Sequence, residues 1–126
     1  MAEEKREFLR VDDVVPVTYK KVVKPTGWST DRKGVRKDIG GGGIRLICDE
    51  EMPVGTTLEL KFDLPDVSRP TSIVVLGEVV WGQRTEEEGK PKYACGVAYV
   101  NIDEGERSKI IKYVFDKQRK VKRKAT

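Results

Sequence analysis

Short runs in which apolar and polar residues alternate occupy most of this chain. The clearest is Leu58, Leu60, Phe62 and Leu64 facing one way, with Glu59, Lys61 and Asp63 facing the other. A period of two with one polar face is what a half-buried antiparallel strand requires. Val15, Val17 and Tyr19 repeat the pattern with Pro16 between them, and a proline there marks a strand start or an edge. Ile44, Leu46 and Cys48 form another run, as do Tyr93, Cys95, Val97 and Tyr99 with Gly96 opposite. Ser72 to Trp81 is β-rich on both faces and predicts a central strand, and the polar stretch Trp28 to Lys37 fits a strand largely in water. Pro25-Thr26-Gly27, Met52-Pro53-Val54-Gly55 and Pro65-Asp66 are turn signals, and Arg84 to Pro91 predicts a charged hairpin loop. After residue 103 the period changes. Ile110, Ile111, Val114 and Phe115 recur at helical spacing behind a capping-box-like Asp103 and Glu106, which predicts an amphipathic helix over 104–118. Short strands without intervening helices, closed by one helix, point to a small antiparallel barrel or sandwich.

With 126 residues, one domain with a real core is expected. No apolar run approaches the roughly 20 residues that span a bilayer, and the start of the chain has no signal-peptide core. Those features predict a cytoplasmic protein. Cys48 and Cys95, both in strand-like runs, then read as buried free thiols. Histidine is absent, which removes Ser-His-Asp and Cys-His nucleophile systems and histidine-based metal sites. With no paired-carboxylate pattern either, the sequence does not read as an enzyme, and it implies no metal and no cofactor. The net charge of +4 is unevenly placed: residues 117–126 hold six Lys and Arg and no acid, so the remainder has 19 basic and 21 acidic groups. A balanced globular part with a basic end makes nucleic acid an unlikely partner, reached at most through that end. Residues 1–13, charged and without periodicity, read as a flexible leader, 14–118 as the folded part, and 119–126 as a basic tail.

Lys37-Asp38-Ile39-Gly40-Gly41-Gly42-Gly43-Ile44 stands apart. Four glycines bury nothing and each costs roughly 0.5–1 kcal/mol in a regular element relative to alanine. Such a run is either a turn between two strands or a ligand surface of bare backbone with Asp38 as its specificity group.

The order Arg6-x-x-x-Arg10, a strand, then Asp38-x-Gly40-x-x-Gly43 resembles the PilZ domain, the bacterial receptor module for cyclic di-GMP, whose pattern is R-x-x-x-R followed by [D/N]-x-[S/A]-x-x-G. Gly43-Ile44-Arg45-Leu46, Gly77-Glu78-Val79-Val80-Trp81, Gly96-Val97-Ala98-Tyr99 and Gln118-Arg119 extend the likeness over essentially the whole chain. One position departs from it: Gly40 stands where the family usually has serine or alanine, so a hydroxyl donor is missing.

The resemblance implies a mainly β fold, a small six-stranded antiparallel barrel with one C-terminal amphipathic helix. It implies a ligand site at Arg6, Arg10, Asp38, Gly40 and Gly43. It adds Lys5, where many members have another arginine, and Trp81, whose ring can stack a base. Guanidinium forks match the N7 and O6 acceptors of guanine, a contact worth about 1–3 kcal/mol of base discrimination. A carboxylate at Asp38 accepts from the guanine N1–H and N2–H₂ edge. The implied function is a receptor and adaptor: ligand orders the N-terminal arm over the barrel, and the new face meets a protein partner of motility, adhesion or polysaccharide machinery. The alternative is a degenerate interaction module of the same fold that holds no nucleotide, for which Gly40 is the motive. Nucleic-acid binding through the basic end is a third reading.

Overall fold

The computed structural model describes residues 10–22, 27–65 and 71–125, with side chains as far as Gln118. Six strands and one helix follow in order: β1 (Arg10–Lys21), β2 (Arg32–Gly40), β3 (Gly43–Cys48), β4 (Thr57–Leu64), β5 (Thr71–Glu87), β6 (Lys90–Tyr99) and α1 (Glu104–Ala125). Every pairing is antiparallel, and the strands close into a barrel in the order β1-β2-β3-β6-β5-β4 because β4 pairs back onto β1. Closure leaves no free sheet edge along the ring, which is how small all-β domains avoid strand addition by other chains.

The alternating runs supply the core as the periodicity requires. Leu58, Leu60, Phe62 and Leu64 all point inward, joined by Val17, Tyr19, Ile44, Leu46, Ile73, Val79 and Val97. Pro16 sits just before Val17, where β1 begins its second ladder with β4, so its missing N–H falls on the half of the strand that pairs on one side only. Helix α1 buries Ile110, Tyr113 and Val114 against this core. Asp103 caps it, its carboxylate accepting from the Gly105 N–H at 3.0 Å and its carbonyl from the Arg107 N–H at 3.0 Å.

Three boundaries differ from the expectation. First, β1 starts at Arg10, so residues 10–13 belong to the barrel wall and not to a leader. Second, the charged stretch 84–91 is not a loop: β5 and β6 continue through it to a tight turn at Glu88-Gly89, whose φ values of 53° and 77° are those of a type I′ hairpin. Glu87 pairs with Lys90 and Thr85 with Lys92. A hairpin arm wet on both faces has no buried period to betray it, so only cross-strand pairing holds it. Third, α1 runs to Ala125, through the segment read as a basic tail. Lysine and arginine are good helix formers, and cations suit a helix C-terminus. Residues 1–9, with Lys5 and Arg6, lie outside the described residues.

Candidate functional site

Three bulges shape one patch of the barrel's outer wall. Asp12 opposes Asp38 while Val15 opposes Arg36, so β1 carries an extra residue between them. In β2, Lys37 is skipped between Arg36 and Asp38. In β5, Val80 is skipped between Val79 and Trp81. A skipped residue shifts the side-chain alternation, and bulges often re-aim a group next to a binding site. Here Arg36 and Val79 point inward and are buried, whereas Asp38 and Trp81, two residues further on, face out.

As a result one cross-strand row reads Asp12, Asp38, Arg45, Gly96, Trp81 across five strands. Arg10 is ion-paired with Asp38 through its Nη2. Arg45 places its Nε 3.5 Å from the other Asp38 oxygen, a distance for charge attraction, but the atom is buried without an aligned hydrogen bond. At Gly96 a Cβ would fall 2.1 Å from the Trp81 Nε1, so the indole lies flat on bare backbone and 39% of the residue stays exposed. The row thus offers a carboxylate between two guanidiniums, with an aromatic face beside them.

The glycine run is the turn that joins β2 to β3, and it is held from behind. Gly40 O accepts from the Tyr99 hydroxyl at 3.2 Å, Gly41 O from Arg107 Nε at 3.2 Å, and Gly42 O from the Tyr99 N–H at 3.0 Å. Tyr99 is fit for this, because burial raises its pKa and keeps the phenol a neutral donor, although Arg36, Arg10 and Arg107 pull the other way. The run is not among the positive-φ glycines, which are Gly27, Gly55 and Gly89. At Gly43 a Cβ would meet Val97 O at 2.2 Å. Its missing side chain therefore makes room for β6, not for an approaching ligand.

Behind the row, the bulge turns Asp13 toward the helix. Its carboxylate accepts from Arg36 Nη1 at 2.9 Å and from the Tyr113 hydroxyl at 2.5 Å, with Lys117 Nζ 3.4 Å away. Arg36 is wholly buried, donates to Asp63 O at 2.8 Å, and lies over the Phe62 ring at 5.1 Å. Burial pushes the Asp13 carboxyl up, but the hydrogen bonds from Tyr113 and Arg36 and the charges of Arg36 and Lys117 outweigh it and hold it below the usual carboxylate range. Burial and the same bond push Tyr113 up to about 12. Gln118 Nε2 adds a bond to Arg10 O at 3.2 Å. The start of β1 is thus bound on one side to the site and on the other to α1.

Of the expected site residues, Arg10, Asp38 and Trp81 gather on one face, and Gly40 and Gly43 end the strands beneath it. Sequence reasoning missed Arg45 and Arg107. Arg45, an outward residue between inward Ile44 and Leu46, was readable by alternation; Arg107 was not, because its partner is a carbonyl 66 residues away.

The PilZ domain family matches residues 4–116 of this chain. Among curated protein sequences nothing matches. Among solved structures, the chain is similar to the Bacillus subtilis inhibitor of motility MotI/DgrA, with a TM-score of 0.74, 19% identity, and coverage of 92% of this chain and 52% of that one. The PilZ domain with c-di-GMP of YcgR from Escherichia coli gives a TM-score of 0.68 at 9% identity over 97% of this chain and 98% of that one. The K. pneumonia MrkH–c-di-GMP complex gives 0.65 at 14%, over 97% and 56%. The chain therefore spans about half the length of MotI/DgrA and of MrkH. No helix among the described residues is long and apolar enough to cross a membrane.

Proposed function

The chain belongs to the PilZ domain family, and on that premise we propose that it is a receptor for cyclic di-GMP that passes the level of this second messenger to a partner protein. One observation carries the reading: Arg10 and Asp38, 28 residues apart in sequence, meet on the outer wall in the row that also holds Arg45 and the exposed Trp81. Two of the similar structures, the YcgR PilZ domain and MrkH, hold c-di-GMP.

The chemistry follows from what each group can donate or accept. Asp38 takes the guanine N1–H and N2–H₂ edge, and Arg10 takes N7 and O6 or a phosphate. Arg45 neutralises a second phosphate or stacks on a base, and the Trp81 face offers a stacking surface of the kind worth about 1–3 kcal/mol per base. Lys5 and Arg6 precede Arg10 closely enough to close over the same ligand, six residues of extended chain reaching at most ~20 Å. Since Arg10 and Asp38 hold each other, the nucleotide has to exchange that pair. The pair is part-buried, its side chains 24% and 18% exposed, so it is worth more than a surface pair, and the base and phosphate bonds that replace it have to exceed it. Ligand can shift the arm only by binding its closed arrangement better than its open one. Arg10 is also the residue whose carbonyl holds Gln118, so its movement is felt at α1. The partner meets the surface that arm and helix form together.

Calorimetry with cyclic di-GMP tests this, on the chain as it is and on Gly40→Ser. Saturable heat with a thermal shift, stronger after the serine is restored, supports a receptor. No heat and no shift in either chain supports the degenerate interaction module.

A further inference from the structure

Lys37 is the residue that the bulge in β2 leaves without a cross-strand partner on either side. Arg36 pairs with Val15 and Leu46, and Asp38 with Asp12 and Arg45, so both neighbouring strands pass Lys37 over. In a regular strand consecutive side chains take opposite faces, and Lys37 and Asp38 could not both look outward. Here they do. Arg36 is wholly buried, Asp38 faces out in the row with Arg45, and the Lys37 ammonium reaches Glu87 at 2.8 Å.

Glu87 stands at the end of β5, one residue before the turn at Glu88-Gly89. Between it and Lys37 lie β6 and β3, so this contact brings the hairpin back over the outer wall of β3. Two outward positions of that wall are correspondingly buried. Ile47 and Ala94 oppose each other and alternate with the inward Leu46, Cys48 and Cys95, yet they are only 6% and 2% exposed. The next outward position on β3 is Arg45, so the hairpin borders the row that holds Asp38.

We propose that Lys37 is a further ligand residue of the nucleotide site, taking a phosphate of the dinucleotide, and that Glu87 competes for it. The inference rests on the receptor reading above. Cyclic di-GMP carries two anionic phosphates, while Arg10 and Arg45 are both already drawn to the one carboxylate of Asp38. Lys37 is joined to Asp38 by one peptide unit, ~3.8 Å between Cα atoms, so a ligand seated on Asp38 lies within the sweep of its four-carbon stem. An ammonium binds phosphate as a point charge and needs no forked geometry. The side chains of Lys37 and Glu87 are 28% and 33% exposed, so the pair is reached from solvent and a phosphate can take the place of the carboxylate.

Calorimetry with cyclic di-GMP on the full chain and its variants tests this. Lys37→Ala should lower affinity about 10-fold, Lys37→Arg should stay within about 3-fold, and Glu87→Gln should raise affinity about 3-fold. Lys61→Ala is the control, because it removes the same charge from an exposed position on β4, three strands from β3 in either direction. Its affinity should not change, and a thermal melt checks that each variant is folded. Unchanged affinity in Lys37→Ala, an equal loss in Lys61→Ala, or a fall in Glu87→Gln overturns the proposal. In each of those outcomes the unmutated chain still binds and the receptor reading stands. No binding by the unmutated chain removes both.

Discussion

The carboxylate of Asp13 meets the guanidinium of Arg36 at 2.9 Å inside the barrel wall, where Arg36 has no exposed surface and Asp13 keeps 10% of its side chain exposed. Removing one partner of a buried pair leaves an uncompensated charge, a loss of about 3–5 kcal/mol. Asp13→Ala should therefore cost about 3 kcal/mol in a urea unfolding curve, near the low end because the site is not fully dry. A change under about 1 kcal/mol would show that solvent already screens the pair.

The same carboxyl sets an acid limit. Its folded pKa is depressed, as is that of Glu50, where burial is outweighed by the bonds from Lys21 and Tyr19. A depressed folded value means that the unfolded chain binds more protons, so stability rises with pH in that window. The contribution is whole above the unfolded carboxylate value near ~4 and is lost as pH falls below it through the folded value. The thermal midpoint should hold from pH 6 to 5 and drop below pH 4. Asp13→Asn should flatten that drop.

The proposed ligand contacts of Arg10 and Asp38 can be tested apart from folding. Both lie on the outer face and neither belongs to the core. Arg10→Ala and Asp38→Ala should each lower cyclic di-GMP affinity by about 10- to 100-fold, matching 1–3 kcal/mol per base contact. The circular dichroism spectrum should not change. Undiminished affinity in Arg10→Ala would remove that residue from the site.

Two glycines answer differently to an added methyl. Gly43→Ala drives a Cβ to 2.2 Å from the Val97 carbonyl, which is backbone in a paired strand and cannot move aside. Overpacking of that kind costs about 1–3 kcal/mol, and Gly43→Ala should reach the upper end in a thermal melt. Gly96→Ala instead strikes the Trp81 indole, a side chain with room to swing outward. Its stability loss should be the smaller, while tryptophan emission shifts and nucleotide affinity falls.

Alternation made much of the barrel legible. Leu58 to Leu64 could be assigned an inner face because one side of that strand is dry and the other wet. The arms of the β5–β6 hairpin from Arg84 to Lys92 were not legible, because nothing there is buried and the only information is which residue lies opposite. Arg36 was opaque for a different reason. A charged residue in a polar stretch reads as surface, and only Asp13, Tyr113 and Phe62, drawn from β1, α1 and β4, make its burial tolerable.

The chain's own order of residues determined the strand-rich class, the single closing helix, the free thiols and the spaced arginine, aspartate and glycine groups, because these depend on short-range periodicity and on residue chemistry. Tertiary structure alone decided that Asp38, Arg45 and Trp81 share one row, that Gly43 serves β6, and that Asp13 belongs to the helix contact. Those outcomes rest on three skipped residues, and a bulge is a property of two paired strands. Neither strand's sequence contains the register of its partner.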